Sequence, residues 1–206
     1  YMPVFNNALA GAAGSGGAAD YKIERSLRFN QADGAYLNKS IGGSATTFTV
    51  SCWIKLGGLS SLQAIFGFGS ATYSDTLFYN QDNKFSLYNG SSTGHTYSTA
   101  VFRDPSAWYH VVVKVSNGSP TLYVNNVETI TTSGYNWELN GTYCNIGAFN
   151  GAGTPQYSFS GYMADFHCVE GQALDPSSFA ETDADTGVWN PIKYSGTYGT
   201  NGFHLD

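Results

Sequence analysis

Charge is scarce in this chain. Asp, Glu, Lys and Arg make up 12% of its 206 residues, about half the usual share. Basic residues are scarcer still in the second half. Residues 1–120 carry 8 basic and 6 acidic side chains, whereas residues 121–206 carry 1 basic residue, Lys193, against 9 acidic ones. With a net charge of −6 and no basic stripe, a nucleic-acid partner has no electrostatic footing. An anionic membrane surface is disfavoured for the same reason. There is no apolar run of the roughly 18 residues that a spanning helix needs, so no membrane insertion is expected. The opening YMPVFNNALAGAAGSGGAAD lacks a basic start and an apolar stretch, and makes a poor signal peptide.

Cysteine is also sparse. Cys52, Cys144 and Cys168 are odd in number, far apart and without C-x-x-C spacing. They read as three buried free thiols, with one disulfide plus one free thiol as the alternative. The first reading points to assembly in a reducing cytoplasm. Sequence patterns of ordinary helix length are missing. The abundant residues are 15 Tyr, 13 Phe and 25 Gly, which fit short strands and tight turns.

The strongest local pattern is Trp108–Glu128, WYHVVVKVSNGSPTLYVNNVE. Tyr109, Val111, Val113 and Val115 fall on one face, and Trp108, His110, Val112 and Lys114 on the other. Asn117-Gly118 suits a hairpin turn, and Asn125-Asn126 offers a second. Phe48–Leu56, FTVSCWIKL, alternates cleanly and reads as a half-buried central strand. Further strands are expected at Ser26–Asn30, Ala35–Asn38, Gln63–Gly69 and Tyr143–Phe149, with a hairpin formed by Asp75–Asn80 and Lys84–Asn89. Ser158–Val169 is another strand, with Gly161 allowing a bulge or a close approach. Leu174–Phe179 reads as a helical turn capped by Asp175 with Pro176 at its first position. Turn signals recur at the roughly 8–12-residue spacing of an antiparallel sandwich. Residues 1–20 read as an Ala/Gly-rich arm or linker and residues 21–182 as the domain. Residues 183–206 read as a C-terminal extension that continues into further sequence.

FTVSCWIKL, WYHVVVKVSNGSPTLYVNNVE and FSGYMADFHCVEGQALDPSSF together resemble the laminin-G-like, concanavalin A-like lectin/glucanase superfamily over residues 25–180. Trp53, Trp108, His110, Leu122, Tyr123, Val124, Asn125, Gly161, Asp165 and Leu174 carry the match. The opening NNALAGAAGSGGAADYKIERSLRFN is similar to those of lectin-like proteins of tailed bacteriophages. The resemblance implies an all-β antiparallel jelly-roll sandwich of two sheets. It does not imply one function, since such a fold hosts lectins, glycosidases and virion parts.

Candidate chemistry narrows the choice. Glucanases of this superfamily carry E-x-D-x-x-E on one strand. The near match Glu181-Thr182-Asp183-Ala184-Asp185-Thr186 lacks the last Glu and follows a Pro-capped turn, so it reads as a solvated acidic loop. There is no G-x-S-x-G, and His110 and His167 read as structural or surface histidines. His167 with Cys168 or Asp165 has no metal-ligand spacing. The resemblance makes calcium the more plausible metal, with Asp75, Asp82 and Asn83 as candidates, yet no dense acidic loop is present. No metal and no cofactor are therefore expected. Sugar binding needs aromatic faces beside amides. Tyr73, Tyr97, Tyr135, Trp137 and Tyr157 are loop aromatics, and Tyr135, Asn136, Trp137, Asn150 and Tyr157 form the expected ligand site. Trp137 could instead pack over a sheet edge or another subunit.

These readings converge on a non-enzymatic virion module on a phage tail fibre or capsid surface. It would attach to host-surface glycan, join other virion proteins through the arm, and self-associate as a homo-oligomer, for instance a trimer. A capsid decoration protein without glycan binding and a polysaccharide hydrolase of the same fold are the alternatives.

Overall fold

The structure, a computed structural model, describes residues 21–59, 61–70, 73–90, 94–140, 143–151 and 154–206. The expected arm, residues 1–20, lies outside the described residues. The chain opens with β1 (Leu27–Phe29), β2 (Leu37–Lys39), β3 (Ser44–Ala45) and β4 (Phe48–Leu56). Then come β5 (Gln63–Ser70), β6 (Tyr73–Tyr79), β7 (Phe85–Asn89) and β8 (Gly94–Tyr97). The hairpin region gives β9 (Tyr109–Ser116), β10 (Ser119–Val124) and β11 (Val127–Thr131). There follow β12 (Leu139–Asn140), β13 (Tyr143–Ile146), β14 (Phe149–Gly151), β15 (Thr154–Gln156) and β16 (Gly161–Glu170). The chain ends with β17 (Ala180–Thr182), β18 (Trp189–Pro191) and β19 (Phe203–Leu205).

Two large antiparallel sheets result, beside the two-stranded pairs β3–β12, β14–β15 and β17–β18. One runs β1-β16-β4-β9-β10-β11, with β19 also on β16; the other runs β2-β13-β5-β6-β7-β8. β1 and β19 pair with different halves of β16, Leu27–Phe29 with its start and Phe203–Leu205 further along. This is the jelly-roll sandwich that the resemblance implied. The core holds Phe48, Val50, Cys52 and Ile54 from one sheet and Phe66, Phe68, Leu77 and Leu87 from the other. Burying each such side chain contributes about 1.5–3 kcal/mol relative to exposure.

The turns follow from residue type. Asn117 and Gly118 adopt φ of 48° and 77°, and Asn125 and Asn126 adopt 48° and 66°. These are the positive angles a two-residue hairpin requires. Gly161, with φ 151°, lies against the Lys55 carbonyl, where a Cβ has no room. Cys52, Cys144 and Cys168 are free and buried, and burial pushes the Cys168 thiol up to about 12.

Two expectations are corrected. β4 is buried on both faces: Thr49, Ser51 and Trp53 are all enclosed. The reason is the C-terminal segment, which lies over that sheet; the Thr49 hydroxyl donates to the Gln172 carbonyl and accepts from the Leu174 N–H. Residues 183–206 pack back onto the domain, with β18 paired to β17 and β19 to β16. Asp175 does precede the short 3-10 turn Pro176–Ser178, but its side chain makes no capping bond. Its carboxylate accepts from Lys114 Nζ at 2.7 Å instead.

Candidate functional site

The second sheet turns one face inward and one outward. Along β6, Leu77 and Tyr79 enter the core, so Thr76 and Phe78 point the other way. Register carries this outward face across the sheet. Thr76 pairs with Tyr88, Phe78 with Ser86, Ser86 with Tyr97 and Tyr88 with His95. On the other side, Gly67 pairs with Thr76 and with Asn145, and Asn145 with Asn38. The outward face thus has small residues at its centre, aromatics on β7 and β8, and amides on β13 and β2.

The β14–β15 hairpin and the residues after it extend the aromatic flank. Phe78 meets Phe149 at 5.5 Å, His95 at 5.3 Å and Tyr157 at 6.1 Å between ring centres. Tyr88 meets His95 at 4.7 Å, and His95 stacks on Tyr97 at 5.6 Å with planes 13° apart. Phe78 is buried beneath the cluster, whereas Tyr97 is 48% and Tyr157 45% exposed. Tyr157 holds φ 51°, an unusual angle for a bulky residue and one that tends to mark functional sites. Its carbonyl accepts from the Ala64 N–H at 2.7 Å, which fixes the ring at the patch edge.

Polar groups adjoin the rings. His95 Nδ1 lies 3.1 Å from the Ser86 hydroxyl, and burial lowers the pKa of His95, so it is a neutral imidazole at pH 7. Asn38 Nδ2 donates to Asn145 Oδ1 at 2.6 Å. Rings that present faces to sugar C–H groups, beside an imidazole and amides for hydroxyls, can hold a carbohydrate. None of the outward-facing residues described on β2, β13, β5, β6, β7 and β8 is Asp or Glu. Paired-carboxylate hydrolysis thus has no groups on this face among the described residues.

The expected ligand residues separate. Tyr157 stands on the patch, and Asn150 lies in β14 beside it, its side chain outside the described residues, as is that of Tyr73. Trp137 is corrected: its side chain is fully enclosed in the core, and its backbone N–H donates to the Gly118 carbonyl. An enclosed ring offers no face to a sugar. Tyr135 is buried likewise, its hydroxyl 2.7 Å from that of Thr96. Asn136 is exposed but flanks the Gly118 turn, not the aromatic patch. Tyr88, His95 and Phe149 were missed, although Ser86 and Tyr88 alternate with Phe85 and Leu87 in a legible two-residue period.

Two histidine environments lie on the opposite, covered sheet. His110 Nδ1 accepts the Trp189 indole N–H at 3.0 Å, and Nε2 lies 2.8 Å from the Ser51 hydroxyl. Since an indole only donates, the His110 proton sits on Nε2 and the ring is neutral. Burial, the main cause, lowers its pKa to about 3; Asp165 acts against this shift and His167 with it. Trp53 stacks on the same ring at 4.8 Å.

The second environment gathers Asp165 and His167 with His204. Asp165 is the extra residue of a bulge in β16, with φ 50°. Its Oδ1 accepts from the Tyr21 hydroxyl at 2.8 Å and lies 2.7 Å from His204 Nε2 and 3.1 Å from His167 Nε2. Burial pushes the Asp165 carboxyl up, but the hydrogen bonds and charge of His167, with the hydrogen bonds of His204 and Tyr21, bring it below its usual value. The calcium candidates do not assemble. Asp75 accepts from the Glu138 N–H inside the sandwich, while Asp82 lies beyond the far end of β6. In the acidic loop, Asp183 Oδ1 accepts from the N–H groups of Asp185 and Thr186 and from the Thr186 hydroxyl, so it shapes a turn.

A family model described as the concanavalin A-like lectin/glucanases superfamily matches residues 29–178. The search of curated proteins gives no match. Among solved structures, domain 4 of AbnA, a GH43 extracellular arabinanase from Geobacillus stearothermophilus in complex with arabinotriose, superposes with a TM-score of 0.58 at 24% identity, covering 79% of both chains. A heptameric SAP-like pentraxin from Limulus polyphemus gives 0.52 at 20% identity over 68% of this chain and 70% of that one. The CBM40 of a Ruminococcus gnavus IT-sialidase, bound to α2,6 sialyllactose, gives 0.52 at 12% identity over 76% and 96%. At these identities the likeness is one of fold.

Proposed function

Because this chain belongs to the concanavalin A-like lectin/glucanase superfamily, we propose that it is a non-enzymatic glycan-binding module whose ligand lies on the aromatic patch of Tyr88, His95, Tyr97 and Tyr157. The observation that carries this is the outward sheet face. Exposed rings and a neutral imidazole sit side by side there, without a described carboxylate among them. Sugar C–H groups stack on Tyr97 and Tyr157, and hydroxyls bond to His95 and the nearby amides. The patch has no described Lys or Arg either, which favours neutral over acidic sugars. Neighbours of the same fold in complex with arabinotriose or sialyllactose support the glycan-binding reading as such.

The biological setting belongs to the same proposal. The phage-like opening of the sequence and the glycan-type patch support a virion protein of a tail fibre or capsid surface that attaches to host glycan. Self-association, for instance as a trimer, and docking to other virion proteins through residues 1–20 would complete it. The test is a glycan array followed by calorimetry on the best neutral ligand. Tyr97→Ala and Tyr157→Ala should each weaken binding roughly tenfold, about 1.4 kcal/mol, with unchanged melting temperature. Affinity untouched by both changes would remove the site. Reducing-sugar release from that ligand would overturn the non-enzymatic part.

A further inference from the structure

We propose that Asp165, His167 and His204 form a binding site for a divalent borderline metal ion such as Zn2+, Co2+ or Ni2+, which pins the last strand to the sheet. Two of the ligands come from β16 and the third from β19, which pairs His204 directly across from His167. One ligand atom from each residue lies within 4.8 Å of the others. Ligands held about 2.0–2.2 Å from a tetrahedral zinc stand roughly 3.3 Å apart, and the two Nε2-to-Oδ1 separations here are 2.7 and 3.1 Å.

A second observation points to a ligand at this place. Asp165 Oδ2 is buried and has no hydrogen-bond partner, in a side chain only 2% exposed. A buried carboxylate oxygen left unpaired is costly, and a cation held by this carboxylate and the two imidazoles satisfies it. The outer partners suit this role. His167 Nδ1 lies 2.8 Å from the Tyr198 hydroxyl, which leaves Nε2 as the nitrogen facing the site, the arrangement that orients metal-binding histidines. The His167 and His204 rings stack at 4.2 Å and 6°, so both Nε2 atoms face the same carboxylate. The stacked rings must rotate for both lone pairs to meet one ion, and the more exposed His204 is the ring free to do so. Access comes from the His204 side, whose side chain is 30% exposed, and water fills the open coordination position there. Two imidazoles and one carboxylate select zinc-like ions over Ca2+ or Mg2+.

The bulge explains why these groups meet. Ala164 pairs with Trp53 and His167 with Ser51, so β16 uses one residue more than β4. That extra residue is Asp165, which stands where the edge of β16 passes from β1 to β19.

The test is a titration of the EDTA-treated, dialysed full chain with CoCl2, read by visible absorption, and with ZnCl2, read by calorimetry and by the imidazole resonances of 15N-labelled protein. One equivalent should bind and release protons. The His167 and His204 ring signals should shift, and the melting temperature should rise with Zn2+ concentration. His204→Ala should weaken binding at least roughly tenfold and abolish the melting shift. If that variant does not fold, the ring signals of the unaltered protein decide the matter. Unmoved His167 and His204 signals at millimolar Zn2+, shifts confined to His95, or equal affinity in a folded His204→Ala would each overturn the proposal.

Discussion

At the residue scale, the most informative side chain is His110, since its surroundings fix both its proton and its charge. Trp189 donates to Nδ1 and Ser51 sits at Nε2, while burial lowers the pKa from 6.5 to about 3. Between those values the unfolded chain takes up a proton that the folded chain refuses. Stability therefore rises with pH across this window, and acidification below about 6.5 removes it. From pH 7 to 4.5 the loss assigned to His110 is on the order of 2–3 kcal/mol. Asp165, whose pKa is lowered, adds its own loss only further down, below the usual carboxylate value. Urea unfolding at both pH values should show a distinctly flatter dependence for His110→Gln, which keeps a donor and an acceptor but does not titrate. Equal pH dependence in the two proteins would contradict the assignment. The sequence placed His110 on a strand opposite inward valines, which holds. Its neutrality depended on Trp189, 79 residues away, and no local pattern records that.

At the element scale, the hairpin β9–β10 was legible because its signals are local: valine alternation and an Asn-Gly turn. Gly118 shows what the turn demands. Its φ is 77°, and a Cβ there would sit 3.3 Å from Asn136 Cα. Gly118→Ala should destabilise the protein by about 1–2 kcal/mol, measured as a lower denaturant midpoint, whereas Asn117→Gly should cost little. A Gly118→Ala protein as stable as the original would mean the turn changes shape freely. Other elements were legible only in part. Phe48–Leu56 emerged with its bounds intact, but its second face looked solvated because the covering segment is distant in sequence. In β16 the order Met163-Ala164-Asp165-Phe166-His167-Cys168 breaks the two-residue period. Met163, Phe166 and Cys168 all face the core, so that break was the available sign of the bulge that gathers Asp165, His167 and His204. The aromatic patch was half-seen. Tyr157 and Tyr97 were noticed as loop aromatics, while Tyr88 and His95 were passed over because they sit in strands. Trp137 misled for the opposite reason: its neighbours in GYNWELNG are polar, yet the ring closes one end of the core.

At the scale of the whole molecule, the folding unit is set by what covers the first sheet. A sandwich needs only its inner faces buried, yet here Thr49, Ser51, His110 and His167 on the outer face are buried too. Trp53 and Ala164 form a small second core with Ala180, against which Ile23 and Trp189 pack. Phe179 and Tyr194 stack at 5.0 Å, and Phe179 also meets His167. β19 occupies an edge of β16 that would otherwise present unpaired backbone groups. Residues 183–206 therefore act as a strap that shields polar and aromatic groups a free sheet face would leave wet. Ending the chain after Thr182 removes Trp189, Tyr194, Tyr198 and His204 together. It strips His110 of its donor, Asp165 of one partner and β16 of an edge strand. Such a truncation should lower the melting temperature by more than about 10 °C, since each lost kcal/mol shifts a domain of this size by roughly 2–4 °C. It should also bind a hydrophobic dye and associate through the bared edge. Thermal melts, dye fluorescence and gel filtration of the two lengths side by side check this. A truncated chain that melts as high as the full one and stays monomeric would restore a boundary near residue 182 and reduce the strap to an appendage.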